Sequence, residues 1–156
     1  MTDSASDARQ YALKLLGYRE RSEKELRERL GQRGFHQVVI DATLSYLKKA
    51  CFVDDKALAA DLKRQAFEQR LLGHRGAKSF MLKRGLPQSL VESTLDYDEE
   101  AELENAVRFL NKKKIAMGRY TGEEKKRKLW SLLARRGYAP GVIVKAMRTV
   151  NFYEEV

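Results

Sequence analysis

Three Arg-Gly pairs, Arg33-Gly34, Arg84-Gly85 and Arg136-Gly137, recur at intervals of 51 and 52 residues. Each comes after a stretch with apolar residues at helical spacing, and a second such stretch succeeds it. A fixed period near 50 residues is the mark of a repeated supersecondary unit. Setting the three glycines in register gives four apolar columns. Leu30, Met81 and Leu133 stand four residues before the glycine, and Phe35, Leu86 and Tyr138 directly after it. Ile40, Val91 and Ile143 come at six residues, and Leu44, Leu95 and Met147 at ten. The expectation is an all-α chain: an elongated, curved array of three tandem three-helix repeats, about nine helices in all. The repeats are placed at 8–50, 51–97 and 98–156, behind a disordered N-terminal arm at 1–7. Stacked helical repeats offer extended binding surfaces rather than enclosed catalytic pockets.

Local signals agree. Ala8, Ala12, Leu15 and Leu16 predict an amphipathic first helix. Ser22 and Glu25 have capping-box spacing before a helix that buries Leu26 and Leu30. Asp54-Asp55 and Asp98-Glu99-Glu100 place carboxylates at helix starts, where they cap and oppose the dipole. The helix from Asp55 is expected to run to about Leu72, with a break at Gly73-His74-Arg75-Gly76. Pro87 and Pro140 suit the first turn of the helices they open. Thr121-Gly122-Glu123-Glu124 is another candidate capping box. Only two prolines occur, which favours helices over a β-rich fold.

The formal charge is +9, spread as +3 over 1–50, +2 over 51–97 and +4 over 98–156. An excess distributed in this way suits an acidic partner, either phosphate backbone or an acidic protein groove. Cys51 is the single cysteine. It cannot form an internal disulfide, which fits a reducing compartment. Ala50, Phe52 and Val53 around it predict a buried structural thiol. The N-terminus lacks a signal-peptide pattern. No apolar run approaches the roughly 18 residues of a membrane span. No membrane association is expected.

The residues from Tyr11 to Leu26, with the run Arg21-Ser22-Glu23-Lys24-Glu25-Leu26, resemble the opening signature of the RecX family, bacterial regulators of the RecA recombinase. Phe52-Val53-Asp54-Asp55-Lys56-Ala57-Leu58-Ala59 resembles that family's mid-chain motif. Arg70 with Gly73, then Lys83-Arg84-Gly85-Leu86, resemble the segment just after that motif in the family. The resemblance covers nearly the whole chain from Ala8. Cys51 stands where the family commonly has glycine, and Leu58 replaces its phenylalanine. The stretch 73–79 lacks the family's proline. The resemblance implies a non-enzymatic modulator of curved, basic shape that lies in the groove of the RecA–DNA filament. It implies inhibition of ATP hydrolysis, strand exchange and the co-protease activity that triggers the SOS response. A cytoplasmic monomer is expected, with RecA filament as partner and single- and double-stranded DNA bound weakly through phosphates.

Candidate contact residues are Arg70, Arg75, Lys78 and Lys83 in the middle repeat and Lys128 and Arg135 in the last. Gln69 to Val91 holds five basic residues and no acid, and Lys125 to Tyr153 holds eight and none. Lys128 and Arg135 are seven apart and share a helix face, unlike Lys125 and Lys126. Backbone amides at the helix start after Gly73 are expected to add to anion binding. Arg84 and Arg136 are assigned to helix C-termini. Asp54 and Asp55 are read as caps rather than catalytic carboxylates. His36 and His74 lack metal-ligand neighbours. Gly73-x-x-Gly76 is too short for a nucleotide loop. Trp130 and Tyr138 are assigned to the core or its margin, as is Tyr120. No catalytic residue, metal or cofactor is expected. The alternative is a stand-alone nucleic-acid binder of helix-turn-helix type, which would need a recognition helix with base-reading side chains. The apolar Val38-Val39-Ile40 and Val142-Ile143-Val144 argue against it.

Overall fold

A computed structural model describes residues 4–118 and 120–150. Among them are nine α-helices: α1 (Ala5–Tyr18), α2 (Glu23–Gln32), α3 (Gln37–Lys49), α4 (Asp55–Arg64), α5 (His74–Lys83), α6 (Gln88–Thr94), α7 (Glu99–Ala116), α8 (Gly122–Arg135) and α9 (Pro140–Thr149). A π-helical segment, Gln65–Gln69, continues α4. The described residues contain no strand, so the all-α, three-helix architecture stands.

The chain forms two compact units, Met1–Leu62 with Met81–Val91, and Lys63–Phe80 with Glu92–Val156. In the first, α1, α2 and α3 pack on one another. Ala8, Ala12, Leu26, Leu30, Ile40, Leu44 and Leu47 close the core, with Phe35 and Val53 at its margins. In the second, α7, α8 and α9 do the same around Ala106, Phe109, Leu110, Leu129, Leu133, Ile143 and Met147. Leu71 joins that core from the preceding segment. The stretch 51–97 thus contributes residues to both units.

The register of the repeat has a local cause. Gly34, Gly85 and Gly137 have φ of +96°, +88° and +88°. Each ends a helix in the left-handed conformation that costs other residues about 1 kcal/mol or more. The amides of Phe35, Leu86 and Tyr138 reach back to the carbonyls of Leu30, Met81 and Leu133 at 3.2, 3.4 and 3.2 Å. The glycine amides bond the carbonyls of Gly31, Leu82 and Ala134, each at 3.0 Å. This is the Schellman cap, whose apolar pair lies at the positions of the first two columns. All twelve column residues are buried.

The opening and mid-chain stretches of the resemblance meet Arg84 in the first unit, while Arg70 and Gly73 belong to the second. Ser22 Oγ accepts from the Glu25 amide at 3.0 Å. The Glu25 carboxylate does not complete a capping box. It pairs instead with Arg19 at 2.9 Å and Arg21 at 2.6 Å. Asp54 caps its own helix, accepting from the Lys56 and Ala57 amides at 3.1 Å. Asp55 turns to the neighbouring helix and accepts from the Glu23 amide at 3.0 Å. Arg84 donates to the Glu20 carbonyl at 3.0 Å. The motifs therefore join helix ends to one another.

Several local expectations are corrected. Helix α1 begins inside the expected arm, at Ala5, because Ser4 caps it and Asp7 supplies a first-turn acid. Residues 1–3 lie outside the described set. The Asp55 helix leaves α geometry at Gln65 and ends before Leu72, where Leu71 takes φ of +50°. Pro87 sits just outside α6, its carbonyl accepting from the Val91 amide at 3.0 Å, whereas Pro140 does open α9. Thr121 is an N-cap without a side-chain bond. Cys51 is exposed. It occupies the left-handed position after α3, with φ of +62°, so its side chain projects from a cap rather than into the core.

Candidate functional site

Helix α8 brings the last basic run to a surface. Leu129 and Leu133 bury one face. Arg127, Ser131 and Arg135 stand at i, i+4 and i+8 on the exposed face. Lys128 flanks them, its ammonium 4.6 Å from the centre of the Tyr120 ring. Arg135 Nε donates weakly to the Ser131 carbonyl at 3.4 Å. These side chains, with Met117 and Leu132, line an open groove of about 360 Å³. Lys128 and Arg135 therefore meet in one groove. Lys126 leans back toward Glu123 at 3.7 Å. Arg127 was not among the expected contacts, although its four-residue spacing to Ser131 and Arg135 was legible. Tyr120 belongs to the groove wall rather than the core, because it precedes α8 instead of lying on its buried face.

The middle group is less concerted. The Arg70 guanidinium lies 4.4 Å over the Phe80 ring. Arg75 is exposed in the first turn of α5. Lys78, one turn on, is 3.4 Å from a Glu92 carboxylate oxygen, which offsets part of its charge. Lys83 is exposed in the last turn of the same helix, within the residues of the first unit.

Two of the backbone amides at the start of α5 already have partners. The Gly73 amide donates to the Arg136 carbonyl at 2.9 Å and the His74 amide to Glu102 Oε1 at 3.1 Å. A Cβ on Gly73 would come within 2.6 Å of the Gly137 carbonyl oxygen, and Gly76 packs still closer on Arg136. Gly73-x-x-Gly76 is a site of close backbone approach.

The arginines of the three Arg-Gly pairs are structural. The Arg33 guanidinium lies 4.8 Å over Tyr11, and Arg84 reaches Glu20. Arg136 lies 4.7 Å over Phe109 and donates to the Arg70 carbonyl. Tyr138 is buried and donates to the Leu71 carbonyl at 2.6 Å. Burial and then the Glu102 charge push its hydroxyl well above the usual tyrosine range. It is a core residue, with Trp130 packed at the same core's margin. His74 meets Tyr97 edge-on, with ring centres 5.3 Å apart. Among the described residues no His, Cys, Asp and Glu side chains group in a way that could hold a metal ion. No described helix is long and apolar enough to cross a membrane.

Comparison with known proteins accounts for the three-helix architecture. The description "RecX, first three-helix domain" matches residues 8–47, and "RecX, third three-helix domain" matches 99–147. Regulatory protein RecX of Thermus thermophilus is 33% identical over 146 residues, 92% of each chain. That of Pelodictyon phaeoclathratiforme is 30% identical over 151 residues, 95% of this chain and 92% of its own. The crystal structure of RecX from Lactobacillus salivarius superposes with a TM-score of 0.77 at 21% identity, covering 94% of this chain and 96% of that one. With the three-helix bundles, their glycine caps and these relatives in agreement, the chain belongs to the RecX family.

Proposed function

We propose that this protein regulates the RecA recombinase by binding the groove of the RecA–DNA filament. There it inhibits ATP hydrolysis, strand exchange and the co-protease activity, and so tempers DNA repair and the SOS response. Family membership supports the regulatory role. The α8 groove is the observation that carries the contact: Arg127, Lys128 and Arg135 on one wall suit phosphate oxygens or partner carboxylates. Arg70, Arg75, Lys78 and Lys83 supply further positive surface. The protein acts as a cytoplasmic monomer without chemistry of its own. It hinders the subunit motions of ATP turnover and binds free single- and double-stranded DNA only weakly, through phosphates.

The stand-alone base-reading alternative gains no support. Helix α9 buries Val142, Ile143, Ala146 and Met147, and its Lys145 is paired with Glu99. The test is RecA ATPase on single-stranded DNA with substoichiometric protein. Progressive loss of hydrolysis is expected. Unchanged hydrolysis under saturated binding would remove the proposal.

A further inference from the structure

A second concavity lies in the unit Lys63–Phe80 with Glu92–Val156, and it shares no lining residue with the α8 groove. Its volume is about 360 Å³. In a chain of net charge +9 its lining is acidic, with Asp96, Asp98, Glu102 and Glu104 against Lys63. Phe67 and Tyr97 add aromatic walls. Asp98 is partly occupied in capping α7 through the Glu100 and Ala101 amides.

Glu102 is the informative residue. It is only 7% exposed. Its Oε1 accepts from the His74 amide, but its buried Oε2 has no hydrogen-bond partner among the described residues. The Tyr97 hydroxyl stands near enough for the carboxylate to matter. Its pKa is raised, by desolvation first, then by the Glu102 charge and by a long contact with that carboxylate that falls short of a full hydrogen bond to Oε2. Tyr97 is itself 56% exposed, so its side chain can swing aside. A buried carboxylate with an empty acceptor is unfavourable as it stands. A cation that reached it would gain a strong, charge-assisted bond.

We infer that this pocket receives the arginine side chain of a partner protein. A guanidinium is planar and can stack on an aromatic face such as that of Phe67 or Tyr97. It can donate to Glu102 Oε2 with one edge and toward Asp96 or Glu104 on the rim with another. A metal ion is a poorer occupant, since no set of ligating side chains converges there among the described residues. The pocket thus adds an anchor for a basic protein segment to a molecule whose other surface attracts acidic groups. It does not depend on the filament reading.

The test is a titration of the full chain, monitored by amide NMR shifts at constant ionic strength. The probes are Nα-acetyl-arginine amide and the lysine and citrulline analogues. Saturable shifts at His74, Tyr97 and Glu102 are expected with the arginine probe, at an affinity about tenfold or more above either analogue. Glu102→Gln should lose about tenfold in affinity. Should that variant melt early, Glu104→Gln and Asp96→Asn on the exposed rim serve in its place, each weakening binding by about threefold. Equal responses to arginine and lysine would overturn the proposal, as would shifts that never saturate. So would rim and floor variants that bind like the parent.

Discussion

At the scale of single residues, the three glycine caps share a conformation but not an environment. A Cβ on Gly34 would meet nothing within 4 Å, whereas one on Gly137 would run into the Gly76 backbone. Gly34→Ala should therefore cost about 1 kcal/mol, the conformational penalty alone. Gly137→Ala should cost several kcal/mol, because backbone must move as well. Urea unfolding of the two variants separates the cases, and equal losses would refute the distinction. Glu25 gives a second expectation. Burial pushes its carboxyl up, but Arg21 and Arg19 outweigh burial and hold it below its ordinary value. A carboxylate with a lowered folded-state pKa stabilises above its unfolded pKa, and that contribution is lost as pH falls through the folded one. Glu25→Gln should cost about 1–2 kcal/mol at neutral pH. The gap from wild type should close in acid. Asp55 has the opposite sign, since burial raises its pKa. Its contribution is greatest in acid and is lost as pH rises through the raised value. Asp55→Asn, which keeps an acceptor for the Glu23 amide, should weaken that part of the stability–pH curve.

At the scale of elements, most helices were legible because their signals are local. Ser22, Asp54, Asp98 and Pro140 stand at or beside helix starts as their chemistry requires, and the three Arg-Gly pairs mark ends. What escaped was set by competing partners, some near in sequence and some far. Glu25 forms no capping box because Arg19 and Arg21 claim its carboxylate. The Gly73 and His74 amides are already engaged, because the Arg136 carbonyl and the Glu102 carboxylate accept from them. No spacing rule announces a π segment at Gln65–Gln69 either. Periodicity found Lys128 and Arg135, but the groove also needed Tyr120, which lies off the helix. For α8, Arg127→Glu, Lys128→Glu and Arg135→Glu combined should reduce inhibition of RecA ATPase about tenfold or more, with helical content unchanged by circular dichroism. Reversal at Arg75 and Lys78 should have the smaller effect, because Glu92 already offsets Lys78. A reversed ranking would move the contact to α5.

At the scale of the whole molecule, the distribution of charge sets the expectation for binding. The basic excess is divided among all three thirds of the chain. Filament association should weaken steeply with salt, as expected when several cations displace counterions. Neutralising Arg127, Lys128 and Arg135 should lower the slope of log affinity against log salt by about two to three. A residual slope should remain. Complete loss of salt dependence would confine the contact to α8, and an unchanged slope would exclude α8 from it.

The left-handed cap after α3 has a practical side. It holds Cys51, the chain's sole thiol, in the open beyond the buried Leu47. A dye or spin label coupled there would sit at one defined place without any engineered mutation. The native chain thus carries its own reporter for following the binding of a partner in real time.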